Sequence, residues 1–275
     1  MPGSKNHPSK KEERIAQETL ERYSGSAVEE FQPYLLLTNF PKYVEYFAKS
    51  RNVDVIEGSA FKVAHSKKER ITILDFKIGS PSAALVVDLC AHLPIRAALM
   101  LGMCGGLRRQ YKVGNFFVPV ASIRAEGTSD FYFDREIPSL ANFLVQKMVT
   151  NVLEGEKIPY HIGITYTTNL RFWEFNEKFV NHVIDTRSQA IEMECATLFM
   201  SGYYHKLPVG ALLIISDLPL EEDGVKTKAS AKSVFEQYTE SHVEAGVKVM
   251  QALHYTLKGH PKGVFRGPRR RFENQ

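Results

Sequence analysis

The sequence predicts an α/β protein of three layers, a mostly parallel or mixed sheet covered by helices on both faces. Three observations carry this. Segments of strand character alternate with segments of helical spacing along the chain. The strand candidates PYLLL, IRAALML and PVGALLIIS are nearly continuous apolar runs, as expected of strands buried on both faces. Polar groups then cluster just beyond those runs, where open α/β sheets take their ligands.

The elements follow in order. Residues 1–33 form a polar lead-in with a helix over about 11–22. Tyr34–Leu37 reads as a short buried strand closed by Thr38, Asn39 and Pro41, and YVEYFAK as a helix face. Two strands are expected near 60–65 and 70–76. SAALVVDLCAHL has helical spacing and opens beneath Ser80 and Pro81, residues suited to a helix start. IRAALMLGMCGG reads as a strand running into a sharp glycine turn. NFFVPVASIRAEGTS is a long β-branched and aromatic run ending at Gly127. Residues 139–153 are helical, YHIGITYTT returns to strand, and RFWEFNEKF is expected as one short helix. SQAIEM is strand-like, ECATLFMSGYYHK helical, and PVGALLIISD a fully buried strand. After the acidic loop EEDG a last helix runs over about 233–256.

With 275 residues, 44% of them hydrophobic, the chain can bury a sizeable core, and one large domain over 34–257 is expected. Its three cysteines, Cys90, Cys104 and Cys195, sit in apolar surroundings without CxxC spacing and read as reduced packing residues. The start, MPGSKNHPSKKEER, lacks the apolar core of a signal peptide, and no run reaches the ~20 apolar residues of a spanning helix. A cytoplasmic protein without membrane contact is therefore expected. Formal net charge is +4, concentrated in the tail 258–275, where six basic residues face one acid. That tail reads as a solvated, flexible terminus. Nucleic-acid binding is not expected, because the body supplies no matching basic stripe with aromatics. There is no HExxH, EF-hand, GxSxG elbow or complete phosphate loop, so neither a metal nor a cofactor is expected.

AIEMECATLF, residues 190–199, places two carboxylates one residue apart inside an apolar segment, although an unpaired buried charge is costly. Ser216-Asp217 closes the most apolar strand roughly twenty residues on. Taken singly, Asp217 could be a turn cap and Glu192 a structural ion-pair partner. Together, the order strand, GMCGG, strand, RAEGT, strand, EME, helix, buried strand, SD resembles the purine and uridine nucleoside phosphorylase superfamily over roughly residues 34–256. MCGGLRRQYKVGNFFVPVASIRAEGTSDFYF and AIEMECATLFMSGYYHKLPVGALLIISDLP look closer still to its AMP-hydrolysing branch, the bacterial AMP nucleosidases, in the short form without a separate N-terminal domain.

The resemblance implies a three-layer sandwich around a distorted, barrel-like mixed sheet. It also implies a homo-oligomer, a hexamer built from dimers, in which a neighbouring subunit completes the pocket. Glu194 would bind the ribose diol, Met193 pack against the sugar, and Asp217 act toward N7 of a purine. Cys104, Gly105 and Ser216 would line the substrate pocket. Glu192 is either a second sugar ligand or an internal partner of an arginine or backbone amide. The chemistry suits these residue types: glycosidic cleavage builds positive charge at C1′ while electrons flow into the base. A carboxylate at the diol and an acid at the purine meet both demands.

The phosphorylases also need a seat for free phosphate, and here the sequence departs from them. Thr38-Asn39-Phe40-Pro41 stands where glycine and aspartate are expected, Met100 at an arginine position and Met103 at a hydroxyl position. Methionines give a dianion no compensating bond, so water is the expected nucleophile; the resemblance implies AMP as the substrate, cleaved to adenine and ribose 5-phosphate. The alternatives are a phosphate-using purine nucleoside phosphorylase and a non-catalytic nucleotide-binding relative. Arg124 is preferred for the 5′-phosphate, with Arg171, Arg108 and Arg109 as further candidates. The base is expected to stack near Phe172 or Trp173, with Arg171 standing where relatives carry an aromatic.

Overall fold

The computed structural model describes residues 9–258. Apart from Lys258, the basic tail lies outside them. In chain order the elements are α1 (Lys10–Ser24), β1 (Tyr34–Thr38), α2 (Pro41–Arg51), β2 (Ile56–Glu57), β3 (Lys62–Ser66), β4 (Ile71–Asp75), α3 (Ser80–Cys90) and β5 (Ala97–Gly106). There follow β6 (Phe116–Ala125), β7 (Ser139–Leu140), α4 (Phe143–Gly155), β8 (Tyr160–Thr168), α5 (Glu177–Asp185), β9 (Ala190–Glu192), α6 (Cys195–His205), β10 (Val209–Asp217) and α7 (Lys228–Leu257). None of the helices among the described residues is long and apolar enough to cross a membrane.

The apolar runs become the middle layer for the reason anticipated. Along β10, Val209, Ala211, Leu213 and Ile215 enter one core with residues of α1, α3 and α6. Leu212 and Ile214 enter a second core with residues of α2, α4 and α7. A period of two with apolar neighbours on both sides leaves no polar position in the strand interior. The sheet is mixed, in the order β10-β6-β8-β9-β5-β1-β4-β3-β2, and β10 also pairs with β5. Five strands therefore close into a ring, β5-β10-β6-β8-β9, from which β1, β4, β3 and β2 extend as an open wing.

β5 belongs to both parts. Ala97–Leu101 pairs in parallel with Tyr34–Thr38 of β1, whereas Gly105 and Gly106 pair antiparallel with Ile191 and Ala190 of β9. Between them, on that edge, Gly102–Cys104 is where ring and wing part. The glycines here correct the sequence expectation: GMCGG is not a sharp turn but the last half of a strand. They are needed for close approach. A Cβ on Gly105 would meet Pro219 and Ile191 at 3.0 and 3.2 Å, and one on Gly106 would meet Ile215 at 2.9 Å. RFWEFNEKF is likewise split, into a 3-10 turn (Trp173–Phe175) and the start of α5. The break is at Asn176, whose side chain caps α5 through the Phe179 amide at 3.1 Å.

A histidine ties the long α7 to the ring. His242 is fully buried; its Nε2 donates to the Leu212 carbonyl at 2.8 Å, and its Nδ1 lies 2.9 Å from the Tyr43 hydroxyl. Burial pushes its pKa down to about 3, so the ring is neutral in the fold. Between that value and the ordinary ~6.5 the unfolded chain binds the extra proton, so folding stability rises with pH across this window. We expect acidification from pH 6.5 to 3.5 to cost a component with a slope approaching ~1.4 kcal/mol per pH unit. That component should be missing in His242→Gln, as read by urea unfolding at stepped pH.

Candidate active site

The crevice where ring and wing part collects the motif residues. β9 runs opposite to β5, so its last residue, Glu192, arrives beside Cys104 rather than at the far rim. The Glu192 carboxylate is then consumed locally. Oε2 accepts the Glu194 and Cys195 amides at 2.7 and 2.6 Å, and Oε1 accepts the Thr167 hydroxyl. The same Thr167 oxygen accepts the Ala196 amide at 2.9 Å. Glu192 thus satisfies the orphan donors at the start of α6, where the helix dipole also favours an anion. Of the two roles left open by the sequence, the internal pairing to backbone amides is the one the geometry contains. Burial raises its pKa, and these bonds oppose that rise.

Glu194 is placed differently. Only 2% exposed, it accepts through Oε1 the Gly79 amide at 2.8 Å and the Asn39 side-chain amide at 3.3 Å. Gly79 offers its N–H from a backbone at φ 98°, a region that side-chain-bearing residues rarely adopt. Ser80 fastens the same loop to the turn by donating to the Met193 carbonyl at 2.7 Å. Burial, and then the Glu192 charge, push the Glu194 pKa up to about 8. Both carboxylates are desolvated, but Glu192 has donors on both oxygens, whereas Glu194 takes its two on Oε1 alone and is held toward its acid form.

On the other side of β5, Asp217 pairs with Gly105 across a bulge at Ser216. Ser216 Oγ lies 2.5 Å from Asp217 Oδ1 and 3.3 Å from the Cys104 carbonyl. Burial raises the Asp217 pKa against the pull of that hydroxyl and of Lys226 and Arg171. Burial lowers that of Lys226, opposed by Asp217. Lys226 also donates to the Met103 thioether at 3.4 Å, so Met103 anchors a cation. The Cys104 thiol faces the core, where burial raises its pKa.

Not every expected residue belongs to this cluster. Arg124 is corrected as a phosphate seat. Nε meets Ser129 at 2.9 Å, Nη1 the Asp134 and Ile137 carbonyls at 2.5 and 2.9 Å, and Nη2 Asp130 and the Phe133 carbonyl at 3.2 and 2.6 Å. All five guanidinium donors are committed to the 129–137 loop. Trp173 is buried with Leu107, Tyr166, Val183 and Ile191, which removes it as a stacking surface. Phe172, 71% exposed, is free to stack, with Arg171 over its ring at 5.7 Å and paired to Glu174 at 3.5 Å. Arg108 donates to the Leu107 and Arg187 carbonyls.

Two residues of the cluster carry no signal in the sequence that marks them as site residues. Lys226 sits in a polar, mostly charged loop, EEDGVKTK, that reads as solvated surface. Asn39 departs from the phosphorylase pattern, which does not mark it as a partner of Glu194. Glu126 of RAEGT is buried too, but it accepts the Ser129 amide and Thr197 hydroxyl, both at 2.8 Å, and so ties its loop to α6. Among the described residues no group of three or more His, Cys, Asp or Glu is arranged to hold a metal ion.

The Phosphorylase superfamily pattern matches residues 25–251. The chain belongs to this superfamily. Among its relatives is the AMP nucleosidase of Escherichia coli K12, 26% identical over 85% of this chain and 57% of that protein. The chain thus spans little more than half the length of that curated relative. Among solved structures, the AMP nucleosidase of Bacteroides thetaiotaomicron is 31% identical over 90% of this chain and 99% of that one, with a TM-score of 0.80. A uridine phosphorylase of Vibrio fischeri superposes with a TM-score of 0.74 at 20% identity, over 86% of this chain and 98% of that one, and so shares the fold. The three-layer, ring-bearing sheet expected from the superfamily resemblance is the one observed.

The two glutamates should separate on substitution. Glu192→Gln directs an amide donor at N–H and O–H donors and should cost about 1–3 kcal/mol of stability. Glu194→Gln replaces a group that already favours its neutral form, so its melting temperature at pH 7 should stay within about 2 °C of wild type. Thermal unfolding of the two variants side by side reads the difference.

Proposed function

We propose that this superfamily member hydrolyses the N-glycosidic bond of AMP, giving adenine and ribose 5-phosphate. The observation that carries hydrolysis over phosphorolysis is the fate of the would-be phosphate seat. Met100 is fully buried in the core, Met103 is occupied by Lys226, and Asn39 fills the place of a phosphate-loop glycine. The likeness to AMP nucleosidases of two bacteria supports the same reading.

In this mechanism Glu194 accepts the ribose 2′- and 3′-hydroxyl hydrogens and is drawn into its ionised form by them. The anion then lies close to the positive charge growing on C1′ and the ring oxygen. Met193 packs on the sugar, while Phe172 and Arg171 offer a plane to the adenine. Asp217 donates a proton toward N7 as the C1′–N9 bond breaks. Burial raises its pKa toward that task, and Lys226 beside it stabilises the carboxylate left behind. Cys104, Gly105 and Ser216 form the floor beneath the base. A cytoplasmic homo-oligomer of dimers, forming a hexamer, belongs to the same reading. Large exposed apolar side chains, Phe131, Phe143, Phe175 and Ile162 among them, fit such an assembly.

Incubation with AMP, adenosine, IMP and GMP, with and without phosphate, tests the reading. Adenine should appear from AMP in phosphate-free buffer. Strict dependence on phosphate, with ribose 1-phosphate formed from adenosine, would establish the phosphorylase instead. Asp217→Asn should lower kcat at least ~10²-fold, and a rate within threefold of wild type would remove the acid.

A further inference from the structure

Hydrolysis also needs a group that places the attacking water, and the geometry points to Asn39. We propose that its side-chain carbonyl holds the water that attacks C1′, an assignment that rests on the AMP-hydrolysis reading. Asn39 directly follows β1, in the crevice where wing and ring separate. Its Nδ2 donates to Glu194 Oε1 at 3.3 Å, and the same oxygen takes the Gly79 amide at 2.8 Å. Once the diol has drawn Glu194 into its ionised form the carboxylate accepts only, so the amide must present its nitrogen there and turn Oδ1 away.

The backbone offers the amide little freedom. Thr38 Oγ1 donates to the Leu101 carbonyl at 2.9 Å and accepts the Phe40 amide at 3.3 Å, and Pro41 opens α2 with a fixed φ. Oδ1 is buried and finds no hydrogen-bond partner among the described residues. Leaving such an acceptor unmade costs about 1–3 kcal/mol, and a buried orphan beside a substrate carboxylate calls for a ligand hydrogen. Both Glu192 oxygens are engaged, by amides and Thr167, and Asp217 Oδ1 is engaged by Ser216.

A neutral carbonyl suits the step. It accepts one hydrogen of the water and turns the oxygen lone pair toward C1′, without competing as a base for Asp217's proton. The C1′–O bond forms as C1′–N9 breaks, and the bonding pair leaves with the purine, which takes its proton from Asp217. The surplus proton of the attacking water passes to solvent, from which Asp217 is reprotonated.

The test is a nucleophile partition. Wild type, Asn39→Ala, Asn39→Ser and Asn39→Asp are given AMP in phosphate-free buffer containing methanol. Methyl riboside 5-phosphate is measured against ribose 5-phosphate, alongside kcat and melting temperature. In Asn39→Ala the loss of water placement should lower kcat about 10²-fold and raise the methanol share several-fold, with Asn39→Ser between it and wild type. Asn39→Asp keeps an acceptor oxygen but loses the donor to Glu194 Oε1 that aims it, so its methanol share should fall between those of wild type and Asn39→Ala. Should the alanine chain not fold, the serine variant carries the comparison. An active wild type with an unchanged partition in the folded variants, whatever their melting temperatures, overturns the assignment to Asn39 alone. A wild type that releases no adenine from AMP overturns the hydrolase reading and this inference with it.

Discussion

The geometry of the crevice depends on one carboxylate that we do not place in contact with substrate. Glu192 gathers the first amides of α6 and the Thr167 hydroxyl, which fixes the turn 192–195 between a three-residue strand and a helix. Since β9 is too short to hold its own direction by ladder bonds, these contacts set where residue 194 points. The pairing also joins β8 to α6, so strand and helix converge on one buried anion. The sequence spacing Glu-x-Glu follows: the first carboxylate builds the turn and the second is free to face the crevice.

The second constraint is the double membership of β5. A strand that pairs with β1 in its first half and β9 in its last two residues must leave a cleft where the partners change. The open wing brings Asn39 and the Gly79 loop to that cleft, and the ring brings Glu194 and Asp217. Ligand placement at such a split follows the general rule for α/β sheets. The unusual step is that an antiparallel strand delivers one of the carboxylates.

Much of this was legible in the sequence because burial leaves a direct imprint. The continuous runs at 34–37, 97–101 and 209–215 could only be central strands, and two carboxylates inside an apolar segment could only be costly unless used. Ring closure was not legible from the residues themselves, since β9 is three residues long and its antiparallel pairing depends on contacts distant in sequence. The superfamily resemblance supplied it instead. Arg124 shows a different limit: a conspicuous arginine beside a motif looks available until its five donors are traced to a loop ten residues on. Lys226 shows the converse, because a lysine in a charged loop carries no sign that folding will bury it beside Asp217. Trp173 and Phe172 are neighbours whose fates differ by one backbone step, and periodicity through an irregular 3-10 turn does not resolve such a step.

The elevated pKa of Glu194 has a consequence for energetics beyond catalysis. In the proposed reaction, a crevice that rests with this group as the acid, and needs it as the anion to grip a diol, must expel a proton when the ligand enters. Association is then coupled to the acidity of the medium: affinity strengthens as pH climbs toward about 8, and the heat of binding includes the buffer's heat of protonation. Under that proposal the residue assigned to the sugar is also a meter of hydrogen-ion activity.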